Sequence, residues 1–500
     1  MDSRSDRRAL VACGAAALLA GVVYLNALHN PFVYDDYHTV VENRSILHPA
    51  NLRALVLHDV TRPIINVSYA IDRAVWGAAP FGFHVTNVLL HMINVVLLFL
   101  LAWQLAGGAV LAAFAAAALF AVHPMMTEAV GYVSGRSEVL CAAFFLSAVL
   151  CAHRWLRGHG RTWAMAMMGL WAAALASKEI GAMFPFVLFC YDSLAVRGSA
   201  DEKRRRLLRV HLPLMITAVL AGLVRLAVLR IEYPGRATVH WSYLLLALDV
   251  VRRYVWLMLI PDGQTIFHEV QAVRGVFDPR ALAAIAVVGL IVALAWRVRR
   301  VDGIASVGVF WFLLLLVPSF TLTVFDQGEP MAEHRVYLAS CGLLLAAGDG
   351  IGWLGAWAGR ASARARPLVP AVLALILLSF GAETLLRNAM WRSPVALWRE
   401  SVDLAPAHYR PRLLLGEALQ DEGRRAEAAE EFRTAVRLRP AEPTGHVKLG
   451  RLLAEMGELP EARQQLLAAL KVDPRNVSAR QSLAILDAME SQSGSDGRRR

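Results

Sequence analysis

The sequence predicts an all-α protein in two parts: a polytopic membrane domain over residues 1–390 and a helical-repeat solenoid over 391–490, followed by a polar, disordered tail at 491–500. Three observations predict it: long apolar runs, arginines gathered in the connections between those runs, and a 34-residue period near the C-terminus. Hydrophobic residues make up 57% of the chain and charged residues 18%, with a mean hydropathy of +0.46. That composition is too apolar for an ordinary soluble domain. The net charge of +11 sits largely as Arg in short runs between apolar stretches, where orientation in a bilayer explains it, so no nucleic-acid partner is expected. Cys13, Cys141, Cys151, Cys190 and Cys341 all fall in apolar stretches without metal-ligand spacing and read as small core residues.

A bilayer core of ~30 Å asks for about 20 apolar residues per helix. About eleven runs qualify, near 9–29, 84–105, 108–122, 138–156, 162–177, 179–196, 210–230, 281–297, 303–321, 336–354 and 368–386. The first follows "MDSRSDRR" without a convincing small-x-small cleavage site, so it reads as a signal anchor with a cytoplasmic N-terminus. From that start "LRGHGR", "VRGSADEKRRRLLR", "RVRRVD" and "GRASARARP" all fall in the cytoplasm, as the positive-inside rule requires. Residues 162–196 must then split into two helices at "SKE", because one long helix would export Arg204, Arg205 and Arg206. By the same test 241–261 reads as a re-entrant or interfacial helix. The outer face receives "FVYDDYHTVVENRSI" at 32–46, "HPMMTEAVGYVSGRSE" at 123–138, "SKE" at 177–179, and the loops around 231–280 and 322–336.

After residue 390 the period appears: Pro406, Pro440 and Pro474; Trp398, Phe432 and Leu466; Gly416 and Gly450; Ala428 and Ala462. This is the tetratricopeptide pattern of stacked helix pairs, in which small residues let neighbours close in and larger apolar ones fill the stack. Two full repeats span 409–442 and 443–476, a half repeat occupies 391–408, and 477–490 caps the array. With an odd number of crossings the repeats lie on the same outer side as Asp35. Protein partners are expected there.

The polar residues of the outer face carry the candidate chemistry. Asp35 and Asp36 either are solvated turn residues after Pro31 or supply a general base with an acidic neighbour that raises its pKa. In the 123–138 loop stand His123, Glu128, Arg136 and Glu138, and by itself the loop reads as polar, with Arg136 and Glu138 pairing with each other. Lys178 and Glu179 lie deep in an apolar hairpin, where charges are costly and line a cavity or form an ion pair. Glu333, His334 and Arg335 stand immediately before a membrane run; Arg335 either snorkels to headgroups or, with Lys178, binds a phosphate. Acids and phosphate-binding cations at one surface suit a lipid-phosphate substrate whose tail stays in the bilayer.

"FVYDDYHTVVEN", "RPIINVSYAID", "FHVTNVLLHMINVVLLF", "AVHPMMTEAVGYVSGRSEVL", "SKEIGAMFPF" and "MAEHRVYLAS", in that order and followed by the repeats, resemble the transmembrane and tetratricopeptide-repeat O-mannosyltransferase family and, more broadly, multi-spanning glycosyltransferases of the GT-C fold. The resemblance implies a polyprenyl-phosphate donor carrying one sugar, bound at the outer membrane face, with transfer to a hydroxyl of a protein or glycan. It implies Asp35 as catalytic base with Asp36 beside it, and Lys178 and Arg335 on the lipid phosphate. His123, Glu128, Arg136, Glu138, Glu179, Glu333 and His334 are then expected to line the cavity. No cofactor is required; a divalent cation could assist the phosphate, though nothing in the spacing demands one. Attack in line would invert the anomeric centre. The Ala-, Arg- and Leu-rich composition points to a bacterial inner membrane, with the repeats periplasmic. Two other readings compete: a scaffold whose repeats gather envelope proteins, which would not need Lys178 or the aspartates, and a lipid-linked-sugar transporter, which predicts midplane polar residues and an inverted repeat.

Overall fold

The computed structural model describes residues 3–196, 198–232, 241–320 and 329–496, and among them the chain forms helices and turns with no strand. It divides into two compact units, the first holding Met1–Gln264 and Val270–Arg392, the second Thr265–Glu269 and Ser393–Arg500.

Each of the eleven apolar runs is helical over most of its described residues. In the first unit the helices are α1 (Ser3–Val23), α2 (Leu52–His58), α3 (Pro63–Trp76), α4 (Pro80–Leu105), α5 (Val110–Val122), α6 (Thr127–Val130), α7 (Arg136–Leu156), α8 (Arg161–Leu175), α9 (Phe184–Leu194), α10 (Ala200–Arg206), α11 (Leu212–Glu232), α12 (Trp241–Leu259), α13 (Pro279–Val298), α14 (Gly303–Leu316), α15 (Tyr337–Ala361) and α16 (Leu368–Met390). Among the described residues seven helical stretches are long and apolar enough to cross a bilayer, and eight if the pair 110–122 and 124–130, bent by 58°, counts as one. The other three runs form α8, α9 and α14, which are shorter; at 1.5 Å per residue α9 reaches roughly half of a bilayer core. The break between α8 and α9 covers the "SKE" stretch: α8 ends at Leu175, and Pro185 in the first turn of α9 restarts the helix. α12 is not among the crossing candidates, because it carries Asp249 bound by Arg252 at 2.7 Å and Arg253 at 2.9 Å. Of the loop expected at 322–336, residues 322–328 lie outside the described residues.

α1, α4, α5, α7, α14 and α15 pack on one another around the almost fully buried alanines of α5. α14 and α15 cross in backbone contact: a Cβ on Gly308 would stand 2.3 Å from the Gly342 carbonyl oxygen, and one on Gly342 would stand 2.4 Å from that of Gly308. Only glycine fits there, and apolar helices in a membrane gain their packing from such small-residue crossings. The crossing sets the start of α15, and with it residues 333–335.

The second unit stacks α17 (Pro394–Leu404), α18 (Tyr409–Asp421), α19 (Arg425–Leu438), α20 (Pro443–Glu455), α21 (Leu459–Val472) and α22 (Val477–Asp496). The tetratricopeptide period is visible as contact: a Cβ on Gly416 would meet the Phe432 ring at 2.4 Å, and one on Gly450 would meet Leu466 at 2.8 Å. α22 continues to Asp496, so helix extends past 490 into the stretch whose composition predicts disorder.

Candidate functional site

The candidate residues come from four segments that meet at one end of the first unit's helices: the connection after α1, the α5–α7 turns, the α8–α9 break and the turn before α15. Each is a helix terminus, where backbone groups lack helical partners and side chains are recruited to them.

Asp35 and Asp36 follow a strained turn. Tyr34 has φ +50°, and among the described residues it is the one non-glycine with positive φ. Such a conformation persists only where its surroundings over-determine it. Here they do. The backbone N–H of Asp35 donates to the Tyr132 hydroxyl at 2.8 Å, and the Thr39 hydroxyl donates to the Asp35 carbonyl at 2.9 Å. Asp36 is fully buried; its carboxylate accepts the Ser134 backbone N–H at 2.8 Å, the Ser134 hydroxyl at 2.7 Å and the Val33 N–H at 3.1 Å. A wide helical turn, Tyr37–Val41, closes behind them with Glu42 N–H on the Tyr37 carbonyl at 2.8 Å, and Tyr132 lies against Trp391 with ring centroids 5.3 Å apart.

The two aspartates therefore differ in kind. Asp36 is spent on the loop, whereas the Asp35 side chain stays exposed to solvent. Desolvation of the Asp35 carboxyl by its surroundings raises its pKa from the usual carboxylate value, while His334, His38 and Arg62 nearby pull it back and Glu128 adds to the rise. Burial pushes Asp36 up to about 7 against the pull of its Ser134 and Val33 hydrogen bonds.

The charges of the other segments pair across the chain. Arg136 is fully buried, ion-paired with Asp72, donating to Asn87 Oδ1 at 2.8 Å and to the Phe83 carbonyl at 2.7 Å, and lying 4.9 Å over the Tyr69 ring. Glu138 pairs with Lys178. The Arg136–Glu138 pair expected within the loop is thus replaced by two long-range ones, because residues two apart at a helix start face different directions. Arg136 is packed inside the protein. Glu179 pairs with Arg62 at 3.0 Å. Burial alone would raise Glu179, but Arg62 and Lys178 beside it hold it down to about 2.

Glu128 accepts both the backbone N–H of His334, at 2.9 Å, and its Nδ1, at 2.7 Å. This carboxylate fixes the ring's orientation. Glu333, also buried, accepts Gln264 Nε2 at 2.8 Å, and Arg335 donates to the Glu329 carbonyl at 2.7 Å. His123 caps the turn after α5: Nδ1 accepts Met125 N–H at 3.2 Å, which leaves Nε2 to donate to the Met258 carbonyl at 3.0 Å. Both ring nitrogens are thus committed to backbone, a structural use. Among the described residues no group of three or more His, Cys, Asp and Glu is placed to hold a metal ion.

Asp72, Arg62, Tyr132, Ser134 and Asn87 were not among the sequence candidates, although they build the site. The usable signal was Asp72, a lone acid on an otherwise apolar helix face, which asks for a cation. Tyr132 and Ser134 carried no signal of their own.

A membrane-embedded helical unit with a polar, cation-bearing end, joined to a tetratricopeptide array, defines the class: a multi-pass membrane protein with C-terminal repeats. A tetratricopeptide-repeat family profile matches residues 413–477 and 447–486. Over most of its length the chain is similar to the transmembrane and tetratricopeptide-repeat O-mannosyltransferases: it is 27% identical to human "Protein O-mannosyl-transferase TMTC1" over 87% of this chain and 56% of that protein. It is 27% identical to human "Protein O-mannosyl-transferase TMTC4" over 82% of this chain and 64% of that protein. A shorter match to Drosophila melanogaster "Protein O-mannosyl-transferase Tmtc2" reaches 32% identity over 41% of this chain and 24% of that protein. The chain spans little more than half the length of human TMTC1.

Proposed function

We propose that the first unit is a membrane glycosyltransferase of GT-C type that moves a sugar from a polyprenyl-phosphate donor to a hydroxyl of a protein or glycan on the outer, periplasmic or luminal, face. The similar proteins are named O-mannosyl-transferases, which supports sugar transfer to protein as the chemistry. The observation that carries the reading is Asp35: an exposed carboxylate on a turn locked by Tyr132, Thr39 and the buried Asp36, with His334 and Arg62 close enough to act on its charge. A general base must be reachable, held still and matched in pKa to its task. Asp35 is reachable and held by its backbone, and its pKa is shifted upward, the direction a base needs.

In this reading the acceptor hydroxyl loses its proton to Asp35 as its oxygen attacks the anomeric carbon. The bond to the lipid phosphate breaks, and the departing phosphate keeps the electron pair. Phosphate leaving needs charge stabilisation rather than a proton, and Lys178 and Arg335 are the cations assigned to it. Lys178 stands paired with Glu138, so the donor phosphate shares or takes over that ammonium. Asp36 is a positioning residue: it ties Val33 to Ser134 and so holds the turn from which Asp35 projects.

The test incubates the lipid-embedded protein with radiolabelled polyprenyl-phosphate sugars and a membrane extract as acceptor, comparing wild type with Asp35→Asn. Loss of transfer by about 100-fold or more in a folded Asp35→Asn variant is expected for a missing general base. Undiminished transfer removes Asp35 from the mechanism. Absence of transfer with every donor rejects the glycosyltransferase reading.

A further inference from the structure

By the repeat period, the array of the second unit begins on a second helix. Each tetratricopeptide repeat pairs a first helix with a second, and the second helix packs its large residue against a glycine of the first: Phe432 on Gly416, Leu466 on Gly450. α17 is a second helix by register, for Trp398 stands one period before Phe432, and Ser401 one period before the buried Ala435 and two before Ala469. The residues one period before α18 lie in α16, which belongs to the first unit. Within the second unit, α17 has no first helix.

A stacked array must cover its terminal apolar face, and Trp398 is nonetheless only 3% exposed. Against it lies a segment of the same unit that comes from far away in sequence, residues 265–269, "TIFHE". Phe267, 1% exposed, sets its ring centroid 6.0 Å from that of Trp398 and 5.4 Å from that of His408. The Thr265 hydroxyl meets the Ser401 hydroxyl at 3.2 Å, at a position where both later repeats have alanine.

We propose that Thr265–Glu269 is a ligand the chain supplies to its own repeats, a non-helical segment that stands in for the missing first helix by filling the Trp398–His408 slot with Phe267. The slot is a peptide-binding position of the array, already occupied in cis. Protein partners of the repeats are left the faces of the later helices. This inference is independent of the sugar-transfer reading, and its test measures no turnover.

Two measurements on the full-length protein in lipid decide it. In a Thr265→Cys, Ser401→Cys double variant, peptide mapping under non-reducing conditions is expected to find a 265–401 disulfide as the dominant product of mild oxidation. In Phe267→Ala, hydrogen exchange across 394–404 is expected to speed up at least tenfold while exchange across 459–472 stays as in wild type, and Phe267→Tyr is expected to keep most of the protection. Cysteines that stay free or pair elsewhere, or exchange across 394–404 that ignores Phe267→Ala, overturn the proposal.

Discussion

The most buried ion pairs of the first unit contrast with the most exposed ones of the second. In the first, Arg136 with Asp72, Lys178 with Glu138 and Glu128 with His334 are buried or half-buried pairs between residues distant in sequence. In the second, Arg424 with Glu427 and Arg433 with Glu430 are surface pairs one helical turn apart, and the interior is Phe432, Leu466 and small residues. A buried charge without its partner is costly, whereas a surface charge without one is simply hydrated. The pairs of the first unit therefore hold its loops in place, and those of the second decorate helices that apolar packing already holds.

Removing one buried partner should give the largest effect. Arg136→Ala leaves Asp72 desolvated and strips Asn87 and the Phe83 carbonyl of their donor, so we expect a loss of about 4 kcal/mol, read as a fall in the thermal midpoint of the lipid-embedded protein. Arg136→Lys should rescue little, because a point charge cannot serve three partners as a planar fork does. Next comes Phe432→Ala, expected to cost about 3 kcal/mol, toward the low end for such a truncation because Gly416 opposite lets α18 close into the gap. Hydrogen exchange across 409–455 reads it. If Arg136→Ala proves milder than Phe432→Ala, the contrast between the units fails.

What was legible in the sequence follows the same division. The repeats could be read because their contacts recur at a fixed spacing: Phe432 and Gly416 touch for the reason that Leu466 and Gly450 do. The membrane helices could be read because a bilayer imposes a length and a composition. The partners within the site could not, since Arg136 finds Asp72 and Glu138 finds Lys178 through the fold, and nothing in residues 123–138 names either. Thr265–Glu269 was read only as part of an outer loop. The missing first helix of the half repeat is visible in the period, but the segment that replaces it carries no periodic mark.

The carboxylates of the site offer a sharper test through pH. Burial raises Asp36 to about 7 in the folded protein, so the native state holds its proton where the unfolded chain has released it. Stability should therefore decline as pH rises from about 4 through 7, and Asp36→Asn should flatten that part of the profile whatever it does to the overall level. Glu179 has the opposite sign: held down to about 2, it contributes stability above the unfolded carboxylate pKa and loses it as pH falls toward 2. Glu179→Gln should leave the slope between pH 5 and 7 unchanged. A midpoint that rises from pH 5 to 7 in the wild type and is unaltered in Asp36→Asn would remove Asp36 as the titrating group.

The smallest effect is expected where the ion pairs look best on paper. Arg424 donates to both oxygens of Glu427 at 2.7 Å and to Glu422 at 3.1 Å, a bidentate fork with a third acceptor. All three side chains are substantially exposed. Water solvates each of them nearly as well when they are apart, salt screens their attraction, and holding three long side chains in one arrangement costs rotamer entropy. Arg424→Ala should accordingly leave hydrogen exchange across the repeats within error of wild type, and raising the salt to ~1 M, where the screening length is about 3 Å, should do no more. A loss comparable to that of Phe432→Ala would mean that the surface network, not the apolar stack, carries the repeats, and the distinction between the two units would have to be redrawn.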